Sequence, residues 1–351
     1  MTTTKVVQKN NLQKISFVIK TYNEEKKIAA CLESIFEAAK HFENPYEIIV
    51  ADSNSSDNTA QIAAKYPVKV VQFVRPEDRG CGAGVQLGYQ HSAGDLVFFL
   101  DGDMTLEPGF LPAAIQALAQ NPKLGGVAGL MREVAIRNSF DAMRVQTGAS
   151  ATAREERWLN GGGIYRRAAI ETAGGYAANR NLKGWEEAEL GMRLRSAGWS
   201  LQRINVAATV HDGHASDTWS LIVRHWKSKR LMANGVLIRS ALGQLWQLQA
   251  IKLLAHPIGV VVFWLIVLPL ALVADRSWDG EATCAVVIFA SLIFFLLLAK
   301  KKSLFRTFES IVLWHVNAAS LLLGMLIPME APSLPLRSVI VGDGNTLSGG
   351  A

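Results

Sequence analysis

Asp101-Gly102-Asp103 sets two carboxylates one residue apart, directly after the apolar run LVFFL. At the end of a strand, where the chain turns outward, such a pair can approach one divalent cation from one side. Hard cations such as Mg²⁺ take oxygen ligands, usually one or two carboxylates together with substrate phosphates. Thr21 and Glu24 follow a first apolar run (ISFVI), and Asp52 opens the polar stretch DSNSSD after a second (YEIIVA). A set of acids at successive strand ends therefore points to metal-assisted chemistry on a phosphorylated substrate. Asp57, three residues into its turn, reads instead as an N-cap of the helix starting near Thr59.

The elements that must position these residues alternate. Residues 15–19, 46–51, 68–73 and 96–100 are short, β-branched apolar runs. Between them, residues 24–39 carry Ile28, Leu32, Ile35 and Phe36 at helical spacing, and residues 59–65 and 85–92 also read as helices. Strands separated by helices imply right-handed crossovers and a parallel sheet covered on both faces. In such sheets ligands bind at the carboxyl ends of the strands, where the acids lie. No G-x-x-x-x-G-K-[ST] is present, and the glycine-rich RGCGAGVQLG lacks the companion acid of a dinucleotide site. Its glycines are expected to let backbone pass close to a ligand.

Read in order, ISFVIKTYNEEKKIAACLESI, EIIVADSNSSDNTAQIA and GAGVQLGYQHSAGDLVFFLDGDM resemble family 2 glycosyltransferases of the GT-A fold, membrane-anchored bacterial type. The resemblance covers about residues 14–215. Lys20 stands where the family usually has proline, and Ser53 replaces the second acid of its D-D-G-S. The resemblance implies that Thr21 and Glu24 line a nucleotide site and that Asp52 hydrogen-bonds the base. It also implies that Asp101 and Asp103 hold Mg²⁺ or Mn²⁺ on the donor diphosphate. LNGGGIYRRAAIETAGGY resembles the family's glycine-containing strand and short helix beside the donor sugar. GWEEAELGMRLRSAGW resembles its E-D-x-x-L element, whose second acid is the general base of inverting members. Glu187 occupies that position, with Glu186 the alternative; Glu189 is expected to face elsewhere, and the plain reading of all three is an acidic helix N-terminus. His211, in HDGH after a strand-like run at 201–210, matches a place where some members carry a further metal ligand; a hydrogen-bonded loop histidine is the other reading. WSLIVRHWKSKR loosely resembles an Arg-Trp element of processive members, which places Arg224 or Arg230 near the donor diphosphate.

Charge and hydropathy divide the rest of the chain. The 351 residues carry 36 Lys and Arg against 30 Asp and Glu, with 50% hydrophobic and 19% charged residues. That excludes a disordered chain and a disulfide scaffold. Residues 256–274 and 282–299 contain no Asp, Glu, Lys or Arg, and residues 307–328 contain only Glu309. A bilayer core needs about 20 helical residues, so two to three transmembrane helices are expected over 256–328. In the third run, His315 and Asn317 would be costly facing lipid, which favours packing against the other two. Lys300, Lys301, Lys302 and Arg306 in the second link put that link and the large domain on the cytoplasmic side. Within the stretch 216–255, residues 219–252 hold Arg224, Lys227, Lys229, Arg230, Arg239 and Lys252 with no acid, and Ile238, Leu242, Leu245 and Leu248 near helical spacing. They read as basic amphipathic helices on anionic lipid; positive charge placed beside apolar runs favours lipid over nucleic acid.

The expected organisation is an N-terminal tail (1–13), a GT-A catalytic domain (14–215), interfacial helices (216–255), a membrane region (256–328) and a C-terminal tail (329–351). The expected protein sits in the inner, cytoplasmic membrane as a multi-pass enzyme with a cytosolic catalytic domain. It is expected to be a metal-dependent inverting glycosyltransferase using a UDP- or GDP-sugar. Its acceptor would be borne by a lipid, such as a polyprenyl-phosphate-linked saccharide. A processive polysaccharide synthase subunit and a non-catalytic nucleotide-sugar-binding scaffold are the alternatives.

Overall fold

The computed structural model describes residues 13–148, 154–213, 216–278 and 280–344. They form two compact units, Met1–Val223 with Glu330–Ala351, and Arg224–Met329. His214 and most of the tail expected at 1–13 lie outside the described residues.

The first unit is built on one mixed sheet. Its strands are β1 (Ile15–Thr21), β2 (Tyr46–Asp52), β3 (Lys69–Phe73), β4 (Leu96–Asp101), β5 (Met104–Leu106), β6 (Leu124–Glu133), β7 (Arg154–Glu155), β8 (Gly163–Arg166), β9 (Ser200–His211) and β10 (Ser338–Asp343). The spatial order is β10-β3-β2-β1-β4-β8-β6-β9-β5, with β7 beside β9. β1 runs parallel to both β2 and β4, and β2 parallel to β3. β8 is antiparallel to β4 and β6, while β6 and β9 are parallel. The four strands anticipated from apolar runs are thus the parallel half, each ending within two residues of its expected boundary.

Burial on both faces explains why those strands lack polar alternation. Phe17, Ile19, Phe98 and Leu100 enter one core with Ile28, Leu32 and Ile35 of the helix Ile28–Ala39. Their neighbours Val18, Val97 and Phe99 enter the opposite core with Leu190 and Leu194 of the helix Glu186–Ser196.

Two expectations are corrected here. The glycine-rich stretch is the start of a helix, Cys81–Gln90, and its glycines admit protein rather than ligand. A Cβ on Gly82 would lie 2.2 Å from the Asn179 carbonyl oxygen, and one on Gly88 would lie 2.3 Å from Val18 Cγ1. The C-terminal segment is not a tail throughout. β10 pairs antiparallel with β3, Leu336 is buried with Ile49, Val71 and Leu87, and His91 Nε2 lies 2.8 Å from Ser338 Oγ. β10 is an edge strand whose Val339, Ile340 and Val341 stay exposed.

The second unit is helical. Two helices, Ala255–Arg276 and Glu281–Lys301, are long and apolar enough to cross a membrane. Leu304–Gly324, from the third apolar run, buries Thr307, Ala318, Ser320, Leu321 and Gly324. It packs on Ala233–Ala241, where Asn234 Nδ2 donates to Ser320 Oγ (3.0 Å) and Asn317 Oδ1 (3.1 Å). Gly235 and Gly324 make that approach possible, since a Cβ on Gly324 would lie 2.0 Å from the Met232 carbonyl oxygen. His315 accepts from Trp264 Nε1 at 3.0 Å. His315 and Asn317 of the third run therefore find partners within the unit. Of the residues expected on an interfacial face, Leu242, Leu245 and Leu248 are exposed, with Leu245 reaching 88%; Trp246 is buried.

Candidate active site

The parallel register assembles the site. Lys20 of β1 lies beside Asp101 of β4, and Thr21 lies beside Asp52 of β2. At this edge the chain makes three turns. In the first, Asn23 adopts φ 57°, its side-chain oxygen receives the Ser56 N–H at 2.8 Å, and the Glu24 N–H donates to Thr59 Oγ1 at 2.8 Å. In the second, Asp52 is fully buried and its carboxylate accepts from the Ser55 N–H (2.9 Å), Ser55 Oγ (2.5 Å) and Gln72 Nε2 (2.7 Å). Asp52 is thereby the brace of its loop, with three of roughly four acceptor positions used. Asp57 is not the N-cap expected: that position is Asn58, and Asp57, one residue earlier, braces the turn by accepting from the N–H groups of Thr59 (3.0 Å) and Glu25 (3.2 Å).

In the third turn, Gly102 separates the two acids and allows close contact. A Cβ there would lie 2.8 Å from Thr21 Oγ1, a buried hydroxyl with no hydrogen-bond partner. Asp101 carries Lys20 Nζ at 3.3 Å, and the same ammonium lies 2.9 Å from Glu186 Oε1. Asp103 Oδ2 lies 3.4 Å from His211 Nε2, whose Nδ1 is 2.7 Å from Glu133 Oε2. The loop after β9 closes on this corner, with the Asp212 N–H donating to the Asp103 carbonyl (3.1 Å) and Arg137 Nη1 reaching Asp212 Oδ1 (3.1 Å).

Electrostatics mark the same spot. Burial, then Asp103 and Asp101, push the Glu24 carboxyl up to about 7 against the opposing pull of Lys27. Burial also raises Asp101; Lys20 opposes that, while Asp103 and Glu186 add to it. For His211 burial favours the neutral ring, but Asp103 and Glu133 outweigh it and carry the imidazole up to about 9. Three carboxyls held this close want a cation between them.

Among the described residues, no three His, Cys, Asp or Glu side chains form a metal-holding group. A closed all-protein metal site is therefore not built here. Asp101 and Asp103 still suit a cation that completes its oxygen shell with substrate phosphate and water, and the raised Glu24 and Asp101 show the excess negative charge such an ion would relieve. His211, expected as a third ligand, presents Nε2 to Asp103 at this corner while Nδ1 is held by Glu133.

Glu186 and Glu187 open the helix Glu186–Ser196. Both line one cleft with Lys20, Asp101, Asn160 and Tyr165. Glu189 does face elsewhere: it is fully buried, 2.7 Å from Arg193 Nε, and accepts from the Tyr176 hydroxyl at 2.8 Å. Arg224 is an exposed residue of Thr218–Lys227 and opens the second unit. Sequence reasoning missed Glu133, Asp212 and the bridging role of Lys20. Only Lys20 carried a signal, as a charge where the family has proline.

Comparison with known proteins bears on the family and the fold. The family model described as glycosyl transferase family 2 matches residues 16–165. The chain is 32% identical over 126 residues to undecaprenyl-phosphate 4-deoxy-4-formamido-L-arabinose transferase of Serratia proteamaculans, covering 35% of this chain and 39% of that one. It is 32% identical over 109 residues to dolichol-phosphate mannosyltransferase of Pyrococcus furiosus, covering 30% of each. The alignments thus span well under half the length of these curated relatives. Among solved structures, S. aureus TarS in complex with UDP-GlcNAc superposes with a TM-score of 0.52 at 21% identity, over 68% of this chain and 69% of that one. Mannosyltransferase PcManGT from Pyrobaculum calidifontis, in complex with GDP-Man and Mn²⁺, gives 0.54 at 20% identity, over 88% and 87%. At such identities the structures speak for the fold, which is of the GT-A kind, and residues 16–165 are the part that is similar to family 2 glycosyltransferases.

Proposed function

We propose that this protein is a metal-dependent, inverting glycosyltransferase that moves a sugar from a nucleoside-diphosphate donor to a lipid-borne acceptor at the cytoplasmic face of a membrane. The observation that carries the reading is the convergence of Asp101 and Asp103 with Glu186 and Glu187 at one end of the sheet, next to the loops that Asp52 and Thr21 hold. A divalent cation on Asp101 and Asp103 would supply Lewis-acid stabilisation of the departing diphosphate. The Thr21 hydroxyl and the Glu24 carboxyl line the nucleotide side, and any base contact by Asp52 would use the one acceptor position its loop leaves. The acceptor oxygen attacks the anomeric carbon as its bond to the diphosphate breaks, and a hydroxyl acceptor passes its proton to Glu187, or to Glu186.

Relatives named for undecaprenyl phosphate and dolichol phosphate support an acceptor carried on a polyprenyl phosphate. The two apolar helices and the exposed Leu242, Leu245 and Leu248 beside basic residues support a site held at an anionic membrane surface. We assign the two apolar helices to membrane spans, which makes the chain multi-pass, and Arg224 to the surface that meets the donor or lipid phosphate. Residues 14–215 would then be the catalytic domain and residues 216–255 its interfacial connector.

The test is release of nucleoside diphosphate by the full-length protein in lipid nanodiscs with Mn²⁺, a panel of UDP- and GDP-sugars and a polyprenyl-phosphate extract. Transfer to lipid that disappears in Asp103→Ala is expected; no release from any donor overturns the reading. Glu187→Gln should slow transfer to a hydroxyl by about 10²-fold or more and leave transfer to a phosphate oxygen nearly unchanged, because a phosphate monoester is largely ionised at neutral pH.

A further inference from the structure

Lys20 is a lysine inside the sheet edge, its side chain only 17% exposed, and its ammonium touches one carboxylate from each half of the site. Asp101 ends β4 on the donor side; Glu186 opens the helix that carries the candidate base. The position is built rather than incidental. The parallel register sets Lys20 next to Asp101. The helix Cys81–Gln90 passes over it at Gly84, where an added Cβ would lie 3.4 Å from Lys20 Cβ.

The cation proposed on Asp101 and Asp103 would meet this ammonium. A divalent ion held by Asp101 would share that carboxylate with an ammonium 3.3 Å away, two like charges on one acid in a partly buried place where such repulsion is large. A donor diphosphate removes the conflict, because its oxygens can take both cations at once. We propose that Lys20 is an internal cation that competes with the divalent metal for Asp101, and that it moves onto the donor diphosphate when donor and metal bind together. The inference rests on the metal-and-donor reading given above. It makes Lys20 a donor-binding residue and makes metal uptake conditional on nucleotide. By linkage, nucleotide then strengthens metal binding by the same factor as metal strengthens nucleotide binding. Glu186 keeps its place in the cleft in either state, as the carboxylate the ammonium leaves or retains.

The experiment is Mn²⁺ binding to the full-length protein in detergent, read from the electron paramagnetic resonance signal of free Mn²⁺, without nucleotide and with saturating UDP or GDP. Wild-type protein is expected to bind Mn²⁺ weakly alone and at least about tenfold more tightly with one of the nucleotides, a gap set by removing one unit charge from contact range. Lys20→Met and Lys20→Gln should bind Mn²⁺ alone at least about tenfold more tightly than wild type and bind the nucleotide less tightly. Lys20→Arg, which keeps the charge, should restore the wild-type pattern and controls for folding. Equal Mn²⁺ affinity in wild type and both neutral variants, with Mn²⁺ bound normally beside nucleotide, overturns the competition alone. Absence of Mn²⁺ binding to every variant with either nucleotide overturns the metal reading and this inference with it.

Discussion

Phe98 and Phe289 are the same residue in two uninterrupted apolar runs, and the structure treats them oppositely. Phe98 is fully buried in the sheet, edge-on to Phe17 at 5.7 Å; Phe289 is 56% exposed on Glu281–Lys301. In the first unit apolar residues are consumed by protein neighbours on both faces of every central strand. In the second they point outward along two helices. Hydropathy scores the two runs alike; what separates them is whether the chain supplies a partner surface. The first unit organises chemistry around a rigid edge, and the second unit, under the proposed reading, uses lipid as its missing half.

That contrast can be broken most sharply at its two phenylalanines. Phe98→Ala should lower stability by about 3–5 kcal/mol, seen as a large fall in the thermal midpoint in detergent, while Phe289→Ala should barely move it. Equal losses would mean that Glu281–Lys301 is buried against protein. Next in size, Ile288→Asp puts a carboxylate mid-helix at a cost of about 2.5–3.5 kcal/mol for insertion; alkaline extraction of membranes should release much more of this variant than of wild type. Unchanged retention would remove that helix from the membrane. Gly235→Ala tests a tight helix contact of the second unit, since its Cβ would sit 2.1 Å from the Leu321 carbonyl oxygen. Forcing those backbones apart should cost about 1–3 kcal/mol, measured as the detergent-state melting temperature.

The smallest effect concerns pH and belongs to the first unit alone. Burial would raise the Glu47 carboxyl, but hydrogen bonds from Lys14, Ser16 and the Ala93 N–H hold it below its ordinary value. Its contribution to stability is then present above the ordinary carboxyl range and is lost as pH falls through the lower folded value. Glu47→Gln should flatten the loss of stability below about pH 4.5, followed by urea melts across pH 3–6. An unchanged slope would take Glu47 out of the acid response.

How much of this was legible in the sequence follows the same division. β1, β2, β3 and β4 were readable because double-sided burial writes a continuous apolar run. The acids at their ends were readable because strand ends in such sheets are where ligands sit. β6 was not, because Gly125, Gly126 and Gly129 interrupt its run. Those glycines are there for packing: a Cβ on Gly126 would meet the Tyr165 ring at 2.6 Å, and one on Gly129 the Val206 carbonyl at 2.4 Å. With β6 unread, Glu133 had no visible address, and the bridge from Asp103 through His211 to Glu133 could not be foreseen. Lys20 was visible as an oddity, but its partner Glu186 lies 166 positions away, and only the fold brings them together.

The pairing of β10 with β3 also bears on how the protein is made. During synthesis residues 338–343 emerge after every described helix of the second unit, so the outer edge of β3 has no strand partner until then. An open edge invites pairing with other chains, which makes the interval before residue 338 leaves the ribosome a period of aggregation risk for this sheet. A nonsense mutation just before Leu336 would make that interval permanent while leaving both apolar helices and all the acids of the site in place. Loss of such a product would be a failure of folding quality, with the catalytic groups intact in sequence.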